Sequence, residues 1–228
     1  MKTFAAECLG TFCLVFAGTG AIVVDQASGG AISHAGIALT FGLVVMAMIY
    51  ALGDVSGAHL NPAVTIGFWV ARRVDAGTVL PYIAAQCLGA LAASLLLRVL
   101  FPTNELLGAT IPAGPWWQSL VLEFVLTFML MFVILNVATG SQEKGMMAGA
   151  AIGGVVALEA MFAGPICGAS MNPARSLAPA IVSEHIMEVW IYLVAPILGA
   201  LLAVGACWCV RHDERCCCVS PDIESCTP

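Results

Sequence analysis

The chain has 228 residues, of which 61% are hydrophobic and only 10% charged, and its formal net charge at pH 7 is −6. About 25% of the residues of an average soluble protein are charged, so this composition favours a membrane protein and leaves little length for a separate soluble domain. The basic residues form no patch, which argues against a nucleic-acid partner.

Six apolar segments are long enough to cross a bilayer core of about 30 Å. In chain order they are Phe4–Val24, His34–Gly53, Val79–Phe101, Trp116–Ala138, Gly145–Ala163 and Glu188–Val210. Shorter apolar segments follow the second and the fifth. The sequence therefore predicts an all-α integral membrane fold with six transmembrane helices and two re-entrant half-helices. We expect one domain over residues 1–210, in halves of about 1–101 and 116–210, followed by a cysteine-rich tail at 211–228.

The first segment is expected to be a transmembrane helix, although Lys2 precedes it as in a secretory signal. The segment is about twenty residues long, contains Glu7, and has no Ala-x-Ala cleavage motif before Asp25. Most basic residues of the chain fall on one side of the membrane if both termini share that side. The positive-inside rule then places both termini in the cytoplasm, in a multi-pass protein of the plasma membrane or of a bacterial inner membrane.

A short box of three residues occurs twice. It stands first at Asn61, Pro62 and Ala63, and again 111 positions later at Asn172, Pro173 and Ala174. Asn is a preferred N-cap residue, and Pro suits the first helical position because that position needs no N–H donor. A helix is therefore expected to begin at each Asn. Roughly ten residues cover about 15 Å, so two such helices entering from opposite faces would cross the bilayer together.

Other residues repeat with nearly the same spacing. Tyr82 in the third long segment corresponds to Tyr192 in the sixth, and Glu7 in the first corresponds to Glu123 in the fourth. Three crossings per half invert the second half relative to the first, an architecture typical of many transport proteins. Irregular backbone at membrane depth needs protein or a watery cavity around it, so the residues before each Asn are expected to line a wet space.

The two boxes bring two helix N-termini together near the membrane midplane. The positive ends of their dipoles disfavour a cation there, and the side-chain amides of Asn61 and Asn172 can donate to a passing oxygen. A water that accepts from both is turned away from its neighbours, which interrupts the donor chain that a proton needs. The simpler alternative is that each Asn only caps its helix and each Pro only starts it.

Arg175 follows the second box, where the first half has Val64, so the repeat does not require it. A cation in the first turn of a helix opposes the helix dipole, and a charge at membrane depth costs about 2.5–3.5 kcal/mol on insertion scales. Beside a narrow pore, an Arg repels cations and offers fixed donors to solute oxygens. The alternative is a structural salt bridge with Glu159 or another acid.

These residues together resemble one family. The paired boxes, the Ser56-Gly57-Ala58-His59 motif and Arg175 are similar to the aquaporin, or major intrinsic protein, family over essentially residues 1–210. The resemblance implies homotetramers in the lipid bilayer with a separate pore in each subunit, and neither catalysis nor a cofactor. The run from Phe162 to Leu177 is similar to the plant nodulin-like aquaporins, which implies passage of water with small uncharged solutes such as glycerol, urea or arsenite.

The resemblance also implies a selectivity ring of four residues, which here are Phe41, Ala160, Ala169 and Arg175. Strict water channels of the family usually have His at the position of Ala160 and often Thr or Cys near the second box. Two Ala residues should widen the ring and remove a donor, while Phe41 supplies an apolar wall. Dedicated glycerol facilitators typically carry Asp where this chain has Ser176. These departures predict a mixed pore.

Four further polar residues lie in or near the apolar segments. Glu7 and Glu123 are expected to be structural, because in the family such carboxylates accept hydrogen bonds from the irregular backbone before each box. Glu159 has no repeat counterpart, and it either faces the pore or, as we favour, hydrogen-bonds within the bundle. His59 is expected at the cytoplasmic mouth as a hydrogen-bonded structural residue, with a pH gate as the alternative.

The ten cysteines do not predict a disulfide framework, because several lie in apolar segments and a cytoplasmic tail keeps its thiols reduced. Cys216, Cys217 and Cys218 are adjacent in that tail. They could bind a soft metal or arsenite, or carry lipid, and the alternative is an inert tail. No other metal site is expected.

Other functional classes fit the sequence less well. A secondary transporter needs ligands for a coupling ion at the midplane, and no acid lies within Gly57–Val64 or Gly168–Arg175. An ion channel is disfavoured by Arg175 and the two dipole ends. The sequence therefore predicts a passive channel for water and small neutral solutes that excludes ions and protons. A strictly water-selective aquaporin and a non-conducting structural membrane protein are the alternatives.

Overall fold

A computed structural model describes residues 1–138 and 142–211, which form eight α-helices. In chain order they are α1 (Lys2–Ala27), α2 (Ser33–Ser56), α3 (Pro62–Val70), α4 (Ala76–Leu100), α5 (Trp116–Val137), α6 (Gln142–Cys167), α7 (Pro173–Ser183) and α8 (Val189–Arg211). Within the described residues, six of these helices are long and apolar enough to cross a membrane. The predicted all-α membrane fold is confirmed, with α3 and α7 as the two short helices.

Each short helix begins at the Asn of its box, as its sequence predicts. The Asn61 side-chain oxygen accepts from the backbone N–H of Ala63 at 2.9 Å. The Asn172 side-chain oxygen accepts from the N–H groups of Ala174 and Arg175 at 3.0 and 3.3 Å. The proline of each box occupies the first helical turn. The caps therefore satisfy N–H groups that have no partner within the helix.

The two halves are built alike, because in each half the first long helix packs against the last. Helix α1 packs against α4, and α5 packs against α8. A Cβ at Gly89 of α4 would collide with the Cys8 carbonyl of α1, and a Cβ at Gly199 of α8 would collide with the Phe124 carbonyl of α5. Repeat-related glycines thus allow the same close helix approach in both halves.

Two kinds of contact hold the halves together: α2 packs against α6, and each short helix packs against a long helix of the other half. Gly42 of α2 lies against Gly153 and Ala157 of α6, so close that a side chain at Gly42 would collide with both. Helix α3 packs against α8 of the other half, and α7 packs against α4. This interlocking places the N-termini of both short helices in the centre of the bundle.

The outer faces of the long helices expose large apolar side chains, including Leu43, Leu88, Val99, Leu158 and Leu198. Soluble monomers rarely expose so much contiguous apolar surface. The surface fits a protein whose solvent is lipid. Several helices extend beyond the predicted segments, and α6 continues through Gly164 and Pro165 to Cys167.

Candidate functional site: a channel between the two halves

A narrow cavity of about 110 Å³ lies between the two halves. Its wall is mainly apolar and includes Leu14, Val45, Val64, Leu130, Ile152 and Val156. A wider space of about 540 Å³ adjoins it at the end of the bundle where Asp54 and Arg73 lie, and His59 and Phe68 line both spaces. The narrow cavity is lined by both box asparagines and by Arg175, and the wider space shares part of its wall.

The irregular segments before the two boxes line this cavity. In each segment two non-glycine residues have positive φ angles: 46° at Ala58 and 54° at Leu60, then 40° at Ala169 and 53° at Met171. Non-glycine residues adopt this left-handed conformation at a cost of about 1–3 kcal/mol each, so surrounding contacts must hold it in place. Sequence reasoning missed these conformations, since none of the four residues is a glycine.

Glu7 holds the first segment through both of its carboxylate oxygens. One oxygen accepts from the Ser56 hydroxyl at 2.7 Å and from the His59 N–H at 2.9 Å. The other accepts from the Leu60 N–H and from the Gln86 side-chain amide, both at 2.8 Å. The carboxylate is fully buried. Glu7 therefore has the structural position that the sequence implied, and Gln86 is an additional partner that sequence reasoning missed.

Glu123 holds the second segment in the corresponding way. Its two oxygens accept from the backbone N–H groups of Ser170 and Met171, each at 2.7 Å. Neighbouring hydroxyls complete the segment, since Thr110 donates to Ser176 at 2.8 Å and the Ser170 and Ser176 hydroxyls lie 2.5 Å apart. Ser176 stands where dedicated glycerol facilitators typically carry Asp, and its hydroxyl hydrogen-bonds to other residues of the protein.

The two box asparagines also join the halves to each other. The Asn61 side-chain nitrogen donates to the Met171 carbonyl at 2.7 Å, and the Asn172 nitrogen donates to the Leu60 carbonyl at 2.8 Å. An amide group has two N–H donors, so each Asn retains one for other acceptors. Both asparagines line the cavity. These reciprocal bonds could not be read from the sequence, because they connect segments that meet only in the folded protein.

Arg175 is buried beside the cavity, with 2% of its surface exposed. One terminal nitrogen donates to the Gly108 carbonyl at 2.9 Å, and the guanidinium carbon lies 5.2 Å from the centre of the Phe41 ring. Within residues 1–138 and 142–211, neither oxygen of Glu159 has a partner, so the alternative of a salt bridge between Arg175 and Glu159 is wrong. A backbone carbonyl and an aromatic face contact the guanidinium, and the buried Glu123 carboxylate interacts with it electrostatically.

Three of the four expected ring residues, Phe41, Ala169 and Arg175, line the cavity. Ala160 is buried, with 7% of its surface exposed, and it is not among the residues that line the cavity. The Phe41 ring lies directly against Gly18 of α1, where any side chain would displace it. The ring residues thus come from α2, α6, the irregular segment before the second box and the first turn of α7.

Glu159 and His59 have different surroundings. The Glu159 carboxyl is fully buried, does not line the cavity, and has no hydrogen-bond partner among the described residues. Our expectation of a buried position is met, but the expected hydrogen bond within the bundle is not found. His59 has its Nδ1 atom 3.1 Å from the Thr65 hydroxyl and packs against Phe68 and Tyr82. These contacts favour the structural role over a gate.

The cysteine predictions are only partly accessible to the structure. Cys8, Cys13, Cys87 and Cys167 are free thiols. The tail cysteines Cys216, Cys217 and Cys218 lie outside the described residues, and their thiol chemistry stays a prediction. In the part of the chain that the structure describes, no group of three His, Cys, Asp or Glu side chains could hold a metal ion.

Comparison with known proteins gives the same family throughout. The model of the family described as "Major intrinsic protein" matches residues 1–206. Aquaporin NIP1-4 of Oryza sativa subsp. japonica is 51% identical over 207 residues, which cover 90% of this chain and 75% of the relative. Nodulin-26 of Glycine max is 43% identical over 216 residues, covering 94% and 80%.

A solved structure agrees with these sequence relatives. The X-ray structure of the aquaglyceroporin from Plasmodium falciparum superposes with a TM-score of 0.81 at 26% sequence identity. The match covers 89% of this chain and 93% of that one. With the inverted halves, the paired boxes and the cavity between them, these findings show that the chain belongs to the major intrinsic protein family, the aquaporins.

Proposed function

We propose that this aquaporin is a passive channel for water and for small uncharged solutes such as glycerol, urea or metalloid hydroxides, including arsenite. One observation carries the proposal: a cavity with a mainly apolar wall is lined by the two box asparagines and by Arg175, and a wider space adjoins it. An apolar wall binds polar solutes weakly, and a few fixed donors replace part of their hydration. Such a path allows rapid passage down a gradient without coupling to chemistry.

Ion exclusion follows from the positive groups around the path. Helices α3 and α7 direct their N-terminal, positive dipole ends towards its centre, and Arg175 adds a full charge. Among the described residues, no Asp or Glu lines the narrow cavity. A cation entering it would lose its hydration and meet only positive or apolar groups, so its passage is strongly disfavoured.

Proton exclusion is assigned to Asn61 and Asn172. Each side-chain amide has one N–H engaged with the opposite segment and a second N–H for an oxygen in the cavity. A water that accepts from both amides directs its own hydrogens away from the centre on either side. The chain of donors that proton transfer requires is then interrupted at the boxes.

The mixed solute range is assigned to the ring of Phe41, Ala160, Ala169 and Arg175. The two alanines leave space where a larger polar side chain would narrow the path. The Arg175 guanidinium can donate to a hydroxyl, while the Phe41 ring faces carbon atoms. A molecule with both hydroxyl and carbon faces, such as glycerol, matches this combination.

We further propose a homotetramer with one pore per subunit, in the plasma membrane or a bacterial inner membrane. Six crossings put both termini on the same side, and the distribution of basic residues supports the cytoplasmic side. The exposed apolar faces of the long helices are available for lipid and for neighbouring subunits. Neither a cofactor nor an energy source enters this proposal.

Purified protein in liposomes tests the proposal. Shrinkage under an impermeant osmolyte measures water flow, and reswelling with glycerol, urea or arsenite measures solute flow. Both should exceed the rates of empty liposomes, while a pH-sensitive dye inside the same liposomes should report no faster proton entry. Shrinkage without reswelling would instead support a strictly water-selective channel, and neither process above background would support a structural role.

Replacing Ala160 by His then tests the ring. The substitution adds a larger side chain with a donor at the position that strict water channels usually fill with His. We expect Ala160→His to slow glycerol reswelling more than water flow. Ala160→Val is the matched control, because it adds volume without a donor. If Ala160→His leaves the ratio of glycerol to water permeability unchanged, selectivity does not lie at this ring.

A further inference from the structure

A histidine near the outer end of the path connects two of the helices that form the ring. His34 lies in the first turn of α2, and its Nε2 atom is 2.7 Å from the Met161 carbonyl oxygen of α6. A carbonyl oxygen can only accept, so Nε2 is the donor. This bond joins helices that belong to different halves of the protein.

The Met161 carbonyl is available because of a proline one turn later. In an α-helix, this carbonyl would accept from the N–H of residue 165. Residue 165 is Pro165, which has no N–H, although α6 continues through it to Cys167. The His34 side chain, at an exposed contact, supplies the donor that the helix lacks.

The neighbouring glycine makes room for this contact. A Cβ built on Gly164 would lie 2.9 Å from Cε1 of the His34 ring, which is too close for a real side chain. Gly164 therefore permits the imidazole to reach α6. These three residues act together. Pro165 leaves the Met161 carbonyl without its helical donor, Gly164 leaves space for the imidazole, and His34 donates the hydrogen bond.

The bond lies next to the ring. Met161 directly follows Ala160, and His34 precedes Phe41 on α2 by two helical turns, or about 10 Å. Further along the same helix pair, Gly42 and Gly153 make the backbone contact described above. The ring positions of α2 and α6 thus lie between two contacts that fix how far apart these helices are.

We propose that His34 is a positioning residue, which sets the separation of Phe41 and Ala160 at the selectivity ring by donating to the carbonyl that Pro165 leaves unpaired. The inference rests on the proposed function, because it concerns which solutes pass this ring. Without the bond, the outer parts of α2 and α6 are free to move apart, while the glycine contact still holds their inner parts. The ring then widens, and the permeability to larger solutes rises relative to the permeability to water.

Permeability in liposomes and a double-mutant cycle test the inference. We expect His34→Ala to raise the ratio of glycerol to water permeability about two- to tenfold, the factor by which one ordinary hydrogen bond changes an equilibrium. Pro165→Ala restores an N–H that can bond to the Met161 carbonyl within α6. Removing His34 should therefore lower the thermal unfolding midpoint less in the Pro165→Ala background than in the wild type.

Two further variants separate a specific role from general damage. His34→Gln keeps a side-chain N–H donor and should retain most of the wild-type permeability ratio. His185→Ala is the matched control. His185 lies beyond the end of α7, contacts the Ser183 carbonyl and is not a ring residue. It should leave the ratio unchanged. A purely structural effect would lower the amount of active channel without altering the ratio.

The outcomes distinguish the inference from the function on which it rests. An unchanged permeability ratio in His34→Ala would overturn the inference, and so would thermal unfolding midpoints that show no coupling between positions 34 and 165. If the wild type passes water but no glycerol, the mixed-pore proposal fails. In that case the inference predicts that His34→Ala allows glycerol to enter, and continued exclusion of glycerol would overturn it.

Discussion

The segments before the two boxes have the same backbone shape, but their carboxylates are held differently. Glu7 accepts four hydrogen bonds, of which Ser56 and Gln86 donate two from their side chains. Glu123 accepts from two backbone N–H groups, whereas the nearby Cys167 thiol donates to the Ala163 carbonyl and accepts from the Ala169 N–H. The repeat therefore preserves the acceptor and the backbone it holds, whereas the side chains that surround the acceptor differ between the halves.

The residues at corresponding positions explain this difference. Cys167 occupies the position of Ser56, and Pro196 occupies the position of Gln86. A thiol is a weaker donor than a hydroxyl, and proline has no side-chain donor. The second half also contains Arg175, where the first has Val64. The more strongly bonded half is thus the one without the charge. The other half contributes three of the four residues that we assign to selectivity, Ala160, Ala169 and Arg175.

Removing either carboxylate should have the largest effect on the stability of the protein. We expect Glu7→Leu to destabilise the protein more than Glu123→Leu, because it leaves more strong donors without their acceptor. Each buried donor left unpaired costs about 1–3 kcal/mol. Thermal unfolding in detergent measures both effects. A larger loss in Glu123→Leu would show that the electrostatic interaction of Glu123 with Arg175 outweighs the extra partners of Glu7.

Glu159 gives the second test, because its counterpart in the first half is Met48. Burying a polar group without a hydrogen bond costs about 1–3 kcal/mol in proteins, so Glu159→Met should stabilise the protein by a comparable amount. Water permeability should stay unchanged, since this side chain does not line the cavity. Glu159→Gln keeps the polarity and should not stabilise as much. A destabilised Glu159→Met variant would reveal a partner for the carboxyl.

The smallest expected effect comes from exchanging the donors beside the two carboxylates. Ser56→Cys weakens the bond to Glu7 and should cost about 0.5–1.5 kcal/mol. Cys167→Ser gives the second half the hydroxyl of the first and should have the opposite sign and a similar or smaller size. Unfolding midpoints of the two single variants and the double variant measure both changes. Stability changes of the same sign in the two single variants would contradict the inferred difference in donor strength between the halves.

Much of the fold was predictable because its signals are local. Six long apolar segments have to cross the bilayer as helices, since backbone groups in lipid must be satisfied within their own segment. The Asn-Pro pairs start α3 and α7 where capping chemistry requires. The inverted repeat followed from matching residues in two halves with three crossings each. None of these inferences needed contacts between distant residues.

The site was predictable only in part. The box asparagines, Phe41, Ala169 and Arg175 all line the cavity. The partners that hold them were not found in advance: Gln86 with Glu7, the Gly108 carbonyl with Arg175, and the reciprocal bonds of the asparagines. A polar Gln in an apolar segment was the one available signal, and it had no counterpart in the other half. Backbone acceptors give no signal in a sequence.

The sequence by itself determined the membrane setting, the two inverted halves, the starts of the short helices and the residue types at the boxes. Hydropathy and helix capping depend on residues that are close in the sequence, and a repeat is found by comparing two parts of the chain. Only the tertiary structure decided that Arg175 lies over Phe41, that Glu159 has no hydrogen-bond partner among the described residues, and that His34 bonds to Met161. Those outcomes depend on how α2, α5, α6 and the re-entrant segments pack, which fixes distances that no single segment encodes.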